Sequence, residues 1–162
     1  MNWIRRIFII GVVFVVGSIA SLINVHAETY GDYEYEINAD GKTVTITKYM
    51  KEDEYDPETG WTIVDNNPLY IPASIEGRKV TIIGEESFKG ILGNSNIVIP
   101  NGVEQIGLSA FEGMYNLTSV SLPNTLKVIG QTAFFDCMDL SVITLPDSLE
   151  EIGDNAFGYT NI

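Results

Sequence analysis

The sequence predicts a β-rich repeat solenoid of the α+β class, in which units of 23 residues combine short strands with short helical turns. The first observation is that several residue types recur in phase at this step through the C-terminal half. The second is that an alternating, non-repeating segment precedes them and is typical of a β-hairpin cap. The recurring residues are Gly84, Gly107, Gly130 and Gly153, then Phe88, Phe111, Phe134 and Phe157, and finally Pro100, Pro123 and Pro146.

Residues 117–134 show how the side chains of one unit are expected to lie. Residues 119–122 alternate serine with an apolar residue, which favours a strand with one buried face. Pro123 ends this strand because proline has no amide hydrogen for the ladder. Gly130 then marks a sharp turn, which predicts a positive φ, and a short helical turn follows. The side chains expected in the core are those of Val120, Leu122, Leu126, Ile129, Ala133 and Phe134.

Stacking of the units converts the sequence period into ladders of side chains. The four phenylalanines become a buried spine, since no single unit is large enough to bury its own apolar face. A second ladder lies three residues later and contains Ile91, Met114, Cys137 and Thr160. Cys137 is the only cysteine, so it is expected to act as a buried small hydrophobe, and packing rather than a disulfide must supply the stability.

Residues 71–84, IPASIEGRKVTIIG, together with the pairs Ala110-Phe111, Ala133-Phe134 and Ala156-Phe157, resemble the BspA-type leucine-rich repeats of bacterial surface proteins. The resemblance implies a right-handed leucine-rich-repeat solenoid over residues 71–162, with strands on one side and short helical turns on the other. It also implies an exported protein associated with adhesion to host matrix proteins or to other cells. No catalytic residue is carried over from the family.

The chain departs from that pattern at three places. Ser87 precedes the first phenylalanine where alanine stands in the later units, and Asn94 occupies the position held by Leu117 and Leu140. The last repeat, which ends at Ile162, is incomplete. Because solenoids normally close their final coil with a polar cap, this coil is expected to fray, to pair with another molecule, or to be covered by sequence beyond this chain.

Residues 1–27 predict a secretory signal peptide. Arg5 and Arg6 form its basic start, residues 7–23 are apolar or small, and Ala27 supplies the small residue of a cleavage site. Cleavage after Ala27 would place the protein outside the cell or at the cell surface, with no membrane contact in the mature form. An uncleaved membrane anchor is the alternative, because the apolar run approaches the length that spans a bilayer.

Residues 28–70 do not share the repeat and are predicted to form an N-terminal cap. Residues 33–37 and 42–47 alternate apolar with polar residues on either side of a turn at 38–41, which predicts a β-hairpin. Its apolar face is expected to cover the first coil and to protect that coil from edge pairing. The residues of this face are Tyr33, Tyr35, Ile37, Val44 and Ile46.

An acidic loop over residues 50–60 raises two functional questions. Its carboxylates could hold a calcium ion, but their spacing does not match an EF-hand loop, so a solvated loop is the preferred interpretation. The aromatic residues around it could form an exposed patch for a sugar or a peptide, or they could pack beneath the hairpin. The carboxylates are Asp53, Asp56 and Glu58, and the aromatic residues are Tyr49, Tyr55 and Trp61.

The balance of charge restricts the partners. The formal net charge is −13, and removal of the signal, which takes away Arg5 and Arg6 but no acidic residue, makes it −15. Such a protein repels polyanions, so nucleic acid and anionic lipid surfaces are poor candidates for its partners. Cations and basic protein patches remain compatible.

The residue types present in the chain also argue against catalysis. His26 is the only histidine and leaves with the signal, which excludes histidine-dependent nucleophilic systems and histidine-ligated zinc. The adjacent pairs Glu85-Glu86 and Glu150-Glu151 are expected on solvated edges rather than at a glycosidase site. We therefore expect no enzyme activity, no cofactor and no metal.

The function predicted from these observations is binding of an extracellular protein or glycan through the face of the sheet. Its outward side chains should be those that alternate with Ile97, Val120 and Ile143. The alternative interpretation is that small polar residues merely keep this face soluble. A structural spacer that self-associates through an open C-terminal coil is the competing function. The outward residues are Asn96, Ser119 and Val142 in one row, and Val98, Ser121 and Thr144 in the next.

Overall fold

The computed structural model describes residues 27–60, 62, 64 and 67–162. The predicted signal peptide, apart from Ala27, and Trp61 lie outside these residues. The described residues form twelve strands and no helix. In chain order the strands are β1 (Glu28–Tyr30), β2 (Tyr33–Ile37), β3 (Thr43–Tyr49), β4 (Leu69–Tyr70), β5 (Ser74–Ile75), β6 (Arg78–Ile83), β7 (Asn96–Val98), β8 (Gln105–Ile106), β9 (Ser119–Ser121), β10 (Val128–Ile129), β11 (Val142–Ile143) and β12 (Glu151–Ile152).

The strands form two sheets that run along the stack of coils. The first sheet has the order β1-β2-β3-β6-β8-β10-β12, with β5 paired to β6, and the second has the order β11-β9-β7-β4. Apart from the antiparallel pair of β5 with β6, the strand pairs within the repeats are parallel, and successive coils add strands to both sheets. Residues 23 apart are register partners, as in Ile106 with Ile129 and Ile97 with Val120. The predicted period is therefore the length of one coil, while the right-handed winding implied by the resemblance stays a prediction.

The N-terminal segment extends the first sheet. β2 and β3 pair antiparallel as a hairpin, and β3 then pairs parallel with β6, so the hairpin occupies the place of a preceding coil. Val44 and Ile46 are fully buried, and Gly84 donates its amide to the carbonyl of Ile46 at 2.7 Å. The equivalent bonds between later coils, such as that from Gly107 to Ile83, are 2.8 Å long. The backbone groups of the first coil are thereby paired instead of exposed at an edge.

The phenylalanine spine is the centre of the core. Phe88, Phe111 and Phe134 are fully buried, and Phe157 is half-buried. The rings stack with centroids 5.1 Å apart from Phe88 to Phe111 and from Phe111 to Phe134, and 5.4 Å apart from Phe134 to Phe157. Tyr49 of β3 stacks on Phe88 at 5.2 Å, so the cap continues the spine by one ring.

The second ladder is also buried in the middle coils. Met114 and Cys137 are inaccessible to solvent, and the Cys137 thiol donates to the carbonyl of Phe111 at 3.1 Å. Burial raises the pKa of this thiol to about 12. Cys137 therefore lies in the core as a neutral thiol, as the sequence predicted.

The side of the coil predicted to be a short helical turn has another conformation. Its amides alternate: those of Ala110 and Glu112 donate within the coil to residues three positions earlier, whereas that of Phe111 donates to Ala133 of the next coil at 2.8 Å. A residue with positive φ stands at the start of each turn, at Glu86, Ser109, Thr132 and Asn155. A right-handed helix cannot continue through such residues, so this side is a third ladder of turns between coils.

The prediction of a positive φ at Gly130 was wrong, because the left-handed positions of the coil lie elsewhere. A Cβ atom at Gly130 would lie 2.7 Å from the carbonyl carbon of Gly107 and 2.8 Å from the amide nitrogen of Leu108. At Gly107 it would lie 2.9 Å from the amide nitrogen of Glu85. The repeated glycine is thus required by the close approach of backbones in neighbouring coils, where no side chain fits.

Candidate binding surface

The outward side of the second sheet forms a continuous surface, which we call the sheet face. Ile97 and Val120 are buried, and Ile143 is half-buried, so the residues that alternate with them point outward. Ser121, Val142 and Thr144 are exposed, and Asn96, Val98 and Ser119 are half-buried. The structure therefore brings together all six of the residues singled out for binding. The sheet face consists of Tyr70, Asn96, Val98, Ser119, Ser121, Val142 and Thr144.

Hydrogen bonds hold one row of this face in place. Asn96 and Ser119 are register partners of β7 and β9, and the hydroxyl of Ser119 donates to Oδ1 of Asn96 at 2.6 Å. The Nδ2 group of Asn96 donates in turn to the hydroxyl of Ser95 at 3.0 Å. Thr118, beside the row, donates its hydroxyl to the carbonyl of Ser95 at 2.9 Å. The polar groups are thus preorganised before any ligand arrives.

Tyr70 is the residue of this face that the sequence did not predict. It lies in β4 as the register partner of Val98, and 68% of it is exposed. Its neighbours Leu69 and Ile71 turn inward, so an alternating pattern around residue 70 was present. The 23-residue period does not reveal Tyr70, because Leu69 precedes its register partner Ile97 by 28 residues instead of 23.

The sheet face carries no charge. The stretches 67–75, 91–103, 113–126 and 140–146, which contain its strands and their flanks, include no Asp, Glu, Lys or Arg. The acidic residues that directly border these stretches in the chain are Glu76, Glu104, Glu112, Asp139 and Asp147. The absence of charge from the stretches themselves is unusual in a chain in which charged residues make up 19%. The charges of the repeats are therefore confined to the other two sides of the coil.

Those other sides carry acidic residues with a few paired lysines. Lys127 contacts Glu104 of the preceding coil at 2.6 Å, and Lys89 contacts Glu86 at 2.7 Å and Glu112 at 3.4 Å. The hydrogen bonds with Glu86 and with Glu104 raise the pKa of Lys89 and of Lys127, respectively. The pairs Glu85-Glu86 and Glu150-Glu151 are exposed, on the edges where the sequence placed them.

The predicted aromatic patch is not formed as proposed. Tyr49 is only 5% exposed because it stacks on Phe88 in the spine, and it also contacts Tyr33 with centroids 5.3 Å apart. Tyr55 is exposed, and Trp61 lies outside the described residues. Tyr49 is therefore a core residue, which corrects its assignment as a binding residue.

The acidic loop uses its carboxylates to organise backbone. Asp53 accepts the amide of Leu92 at 3.0 Å and that of Gly93 at 2.6 Å, which ties the loop to the first coil. Asp56 accepts the amides of Glu58 at 2.8 Å and of Thr59 at 3.1 Å, and these bonds hold its pKa below the ordinary value. Across residues 27–60 and the rest of the described chain, no group of three or more His, Cys, Asp or Glu side chains is placed to hold a metal ion.

Comparison with known proteins identifies the family. The BspA type leucine-rich repeat region matches residues 71–162 in six copies, so the chain belongs to this family. No curated protein matches the chain. In the part of the chain that the structure describes, no helix has the length and apolar character to cross a membrane.

Several solved structures share the fold. A leucine-rich repeat protein from Bacteroides capillosus ATCC 29799 is 32% identical, with a TM-score of 0.66, over 83% of this chain and 92% of that one. A leucine rich cell surface protein from Faecalibacterium prausnitzii A2-165 is 31% identical, with a TM-score of 0.67, over 82% of this chain but only 34% of that one. The leucine-rich repeat protein of T. pallidum is 24% identical, with a TM-score of 0.60, over 82% of this chain and 66% of that one, and shows the fold alone.

Proposed function

We propose that this chain is an exported or cell-surface binding module that recognises an extracellular protein or glycan through the sheet face. The observation that carries the proposal is a continuous, uncharged and outward-facing sheet on an otherwise strongly acidic protein. Charged residues are depleted at the centre of recognition surfaces, because removing a charge from water costs free energy that an unpaired contact does not return.

The rigidity of the stack supports the same role. Each strand of the face is held by parallel pairing to its neighbours and by the buried column beneath it. A surface that is already ordered loses little conformational entropy when a ligand binds. Loop surfaces, by contrast, must be immobilised first.

Adhesion and a lack of catalysis are part of the proposal. BspA-type proteins resemble this chain in fold, and one structural neighbour is described as a cell surface protein. The predicted mature chain contains no histidine and only one cysteine, whose thiol is buried. Export is tested by expressing the full chain in a secreting bacterium and sequencing the N-terminus of the product. Glu28 as first residue supports cleavage, whereas a membrane-bound product beginning at Met1 supports the anchor.

The sheet face is tested with two matched double variants of the secreted protein. Ser119→Arg with Ser121→Arg places two bulky charges on the sheet face, and Gln105→Arg with Val128→Arg places the same charges on the outer side of the first sheet. We expect the first variant to lose capture of matrix and cell-surface components, and the second to keep it. Equal capture by both variants would exclude the sheet face as the binding surface.

Self-association is the alternative function. Ile152, Tyr159 and Ile162 of the last coil are exposed apolar residues, which would favour contact with a second molecule. Sedimentation velocity over a hundredfold range of concentration separates the two functions. A constant monomer supports the binding module, and a concentration-dependent dimer or array supports the spacer.

A further inference from the structure

We propose that the ligand of the sheet face is an uncharged polysaccharide chain that lies across the strands, with one sugar ring stacked on Tyr70. This inference rests on the proposed function and narrows its partner to one chemical class. The geometry that carries it is the row of register partners Tyr70, Val98 and Ser121, beside the hydrogen-bonded row of Asn96 and Ser119. Thr144 stands 23 residues after Ser121 and directly follows Ile143, the register partner of Val120.

The residue types of the face match a glycan better than a protein. Protein–protein interfaces draw most of their binding energy from a few Trp, Tyr and Arg residues, whereas Ser, Thr and Val are under-represented among such residues. Apart from Tyr70 and Asn96, the face consists of Ser, Thr and Val only. Hydroxyl and amide groups, by contrast, donate and accept hydrogen bonds, as sugar hydroxyls require. The face is therefore built for many small polar contacts.

The charge distribution selects a neutral chain. An anionic polysaccharide would gain no basic partner on the sheet face and would be repelled by the acidic sides of the coils, because the mature chain carries a formal charge of −15 once Arg5 and Arg6 are removed. A basic protein would be drawn to the acidic sides and away from the sheet face. An uncharged ligand has no charge that would need a partner on this face.

The spacing of the rows suits a polymer. Neighbouring strands lie about 4.8 Å apart, so each coil presents at least one polar side chain at nearly the length of a single pyranose unit. Ser121 and Thr144 occupy the same position in consecutive coils, and Asn96 and Ser119 lie beside them. A polysaccharide extended along the stack would therefore meet at least one polar group in each coil.

Tyr70 provides the contact that small side chains lack. It lies at the end of the row, with 68% of its surface exposed, where its ring can cover the apolar face of one sugar. Aromatic rings combine a large apolar area with little conformational freedom to lose. We therefore expect Tyr70 to be the residue whose truncation weakens binding most.

The test is native affinity electrophoresis of the secreted protein. Gels contain hydroxyethyl cellulose, mixed-linkage β-glucan, galactomannan or soluble starch as neutral probes, and polygalacturonate as an anionic one. The acidic protein migrates well, and a neutral polymer slows it only by binding. We expect retardation in at least one neutral gel and none with polygalacturonate. Tyr70→Ala should weaken the apparent affinity at least tenfold, and Ser121→Arg should abolish retardation.

Tyr159→Ala is the matched control, since Tyr159 is 74% exposed but lies away from the sheet face. It should behave as the unaltered protein. Retardation that survives both Tyr70→Ala and Ser121→Arg would overturn the site, and normal migration in all four neutral gels would overturn the ligand class. If the neutral gels fail but capture of an extracellular protein is lost with the two arginines at 119 and 121, the proposed function stands and only the glycan is wrong. If both fail, the proposed function fails as well.

Discussion

Replacement of Phe111 by alanine should test whether the buried column holds the coils together. Phe111 is fully buried and stacks on both sides, at 5.1 Å from Phe88 and at 5.1 Å from Phe134. Its backbone amide donates to the carbonyl of Ala133 in the next coil, and its carbonyl accepts the amide of Met114 and the thiol of Cys137, so the cavity cannot close without disturbing these bonds. The substitution therefore removes apolar contacts in a place that relaxes poorly.

The magnitude follows from the position in the column. Truncation of a buried phenylalanine to alanine costs about 3 to 5 kcal/mol, which includes the transfer of the lost atoms and the cavity that remains. Because Phe111 stacks on two neighbouring rings, its truncation should cost close to the upper end of this range, since each aromatic pair adds about 0.5 to 1.5 kcal/mol of stability beyond that of burial. Phe157 is half-buried and stacks on Phe134 alone, so Phe157→Ala should cost roughly half as much.

Urea denaturation of the secreted protein, followed by far-ultraviolet circular dichroism, measures both losses. Phe111→Leu is the control that keeps most of the volume and should recover more than half of the difference. A cost for Phe111→Ala below about 1.5 kcal/mol, or equal to that of Phe157→Ala, would show that the ring is not part of a shared core. The stacked-coil architecture would then be refuted.

Four further substitutions and one reagent test other features of the structure. Gly130→Ala should cost about 3 kcal/mol or more, because the new Cβ would lie 2.7 Å from backbone of the preceding coil. Gly113→Ala is the comparison, because Gly113 has a φ of 72° but a Cβ there would have no contact under 3.9 Å, so it should cost only about 1 to 2 kcal/mol. If thermal melts show a larger loss of stability for Gly113→Ala than for Gly130→Ala, close approach of backbones is not the reason for the repeated glycine. Asp53→Ala should lower the free energy of unfolding by about 1 to 2 kcal/mol, because the amides of Leu92 and Gly93 in the first coil lose their acceptor. Asp53→Asn should have an intermediate effect, and unchanged urea midpoints would argue against this contact between the loop and the coil. Burial raises the pKa of the Cys137 thiol to about 12, so in the folded protein it should not react with Ellman's reagent at pH 8. It should react at once in 6 M guanidinium. Rapid labelling without denaturant would place the residue outside the core.

Much of the fold was accessible from the sequence because the repeat is strictly periodic. A step of 23 residues fixes which side chains become neighbours as soon as coils stack, and the burial of Phe111, Met114 and Cys137 follows directly. The alternation of Ser119, Val120 and Ser121 likewise predicted both the strand and its outward side. Such inferences need only the local pattern of residues and the repeat of 23 residues.

Other features depended on contacts between residues that no local pattern connects. The positive φ predicted for the repeated glycine was wrong because the distance between two backbones, and not the turn of one, excludes a side chain at Gly130. The described residues form no helix where a short helical turn was predicted, because amides such as that of Phe111 pair with the next coil. Tyr49 stacks on the phenylalanine spine and does not form part of a surface patch, because β3 takes the place of a preceding coil.

The sequence by itself determined the period, the buried column and the acidic, histidine-poor character of the predicted mature chain, since these depend on residue type and spacing alone. Only the tertiary structure decided that Tyr70 joins the sheet face, that Asp53 ties the acidic loop to the first coil, and that the described residues brought together on the sheet face are all uncharged. The physical reason is that these features arise where the irregular N-terminal segment packs against the first coil, or where separate stretches are brought side by side. Pairing at such places is set by the shape of the assembled stack and not by any repeat in the chain.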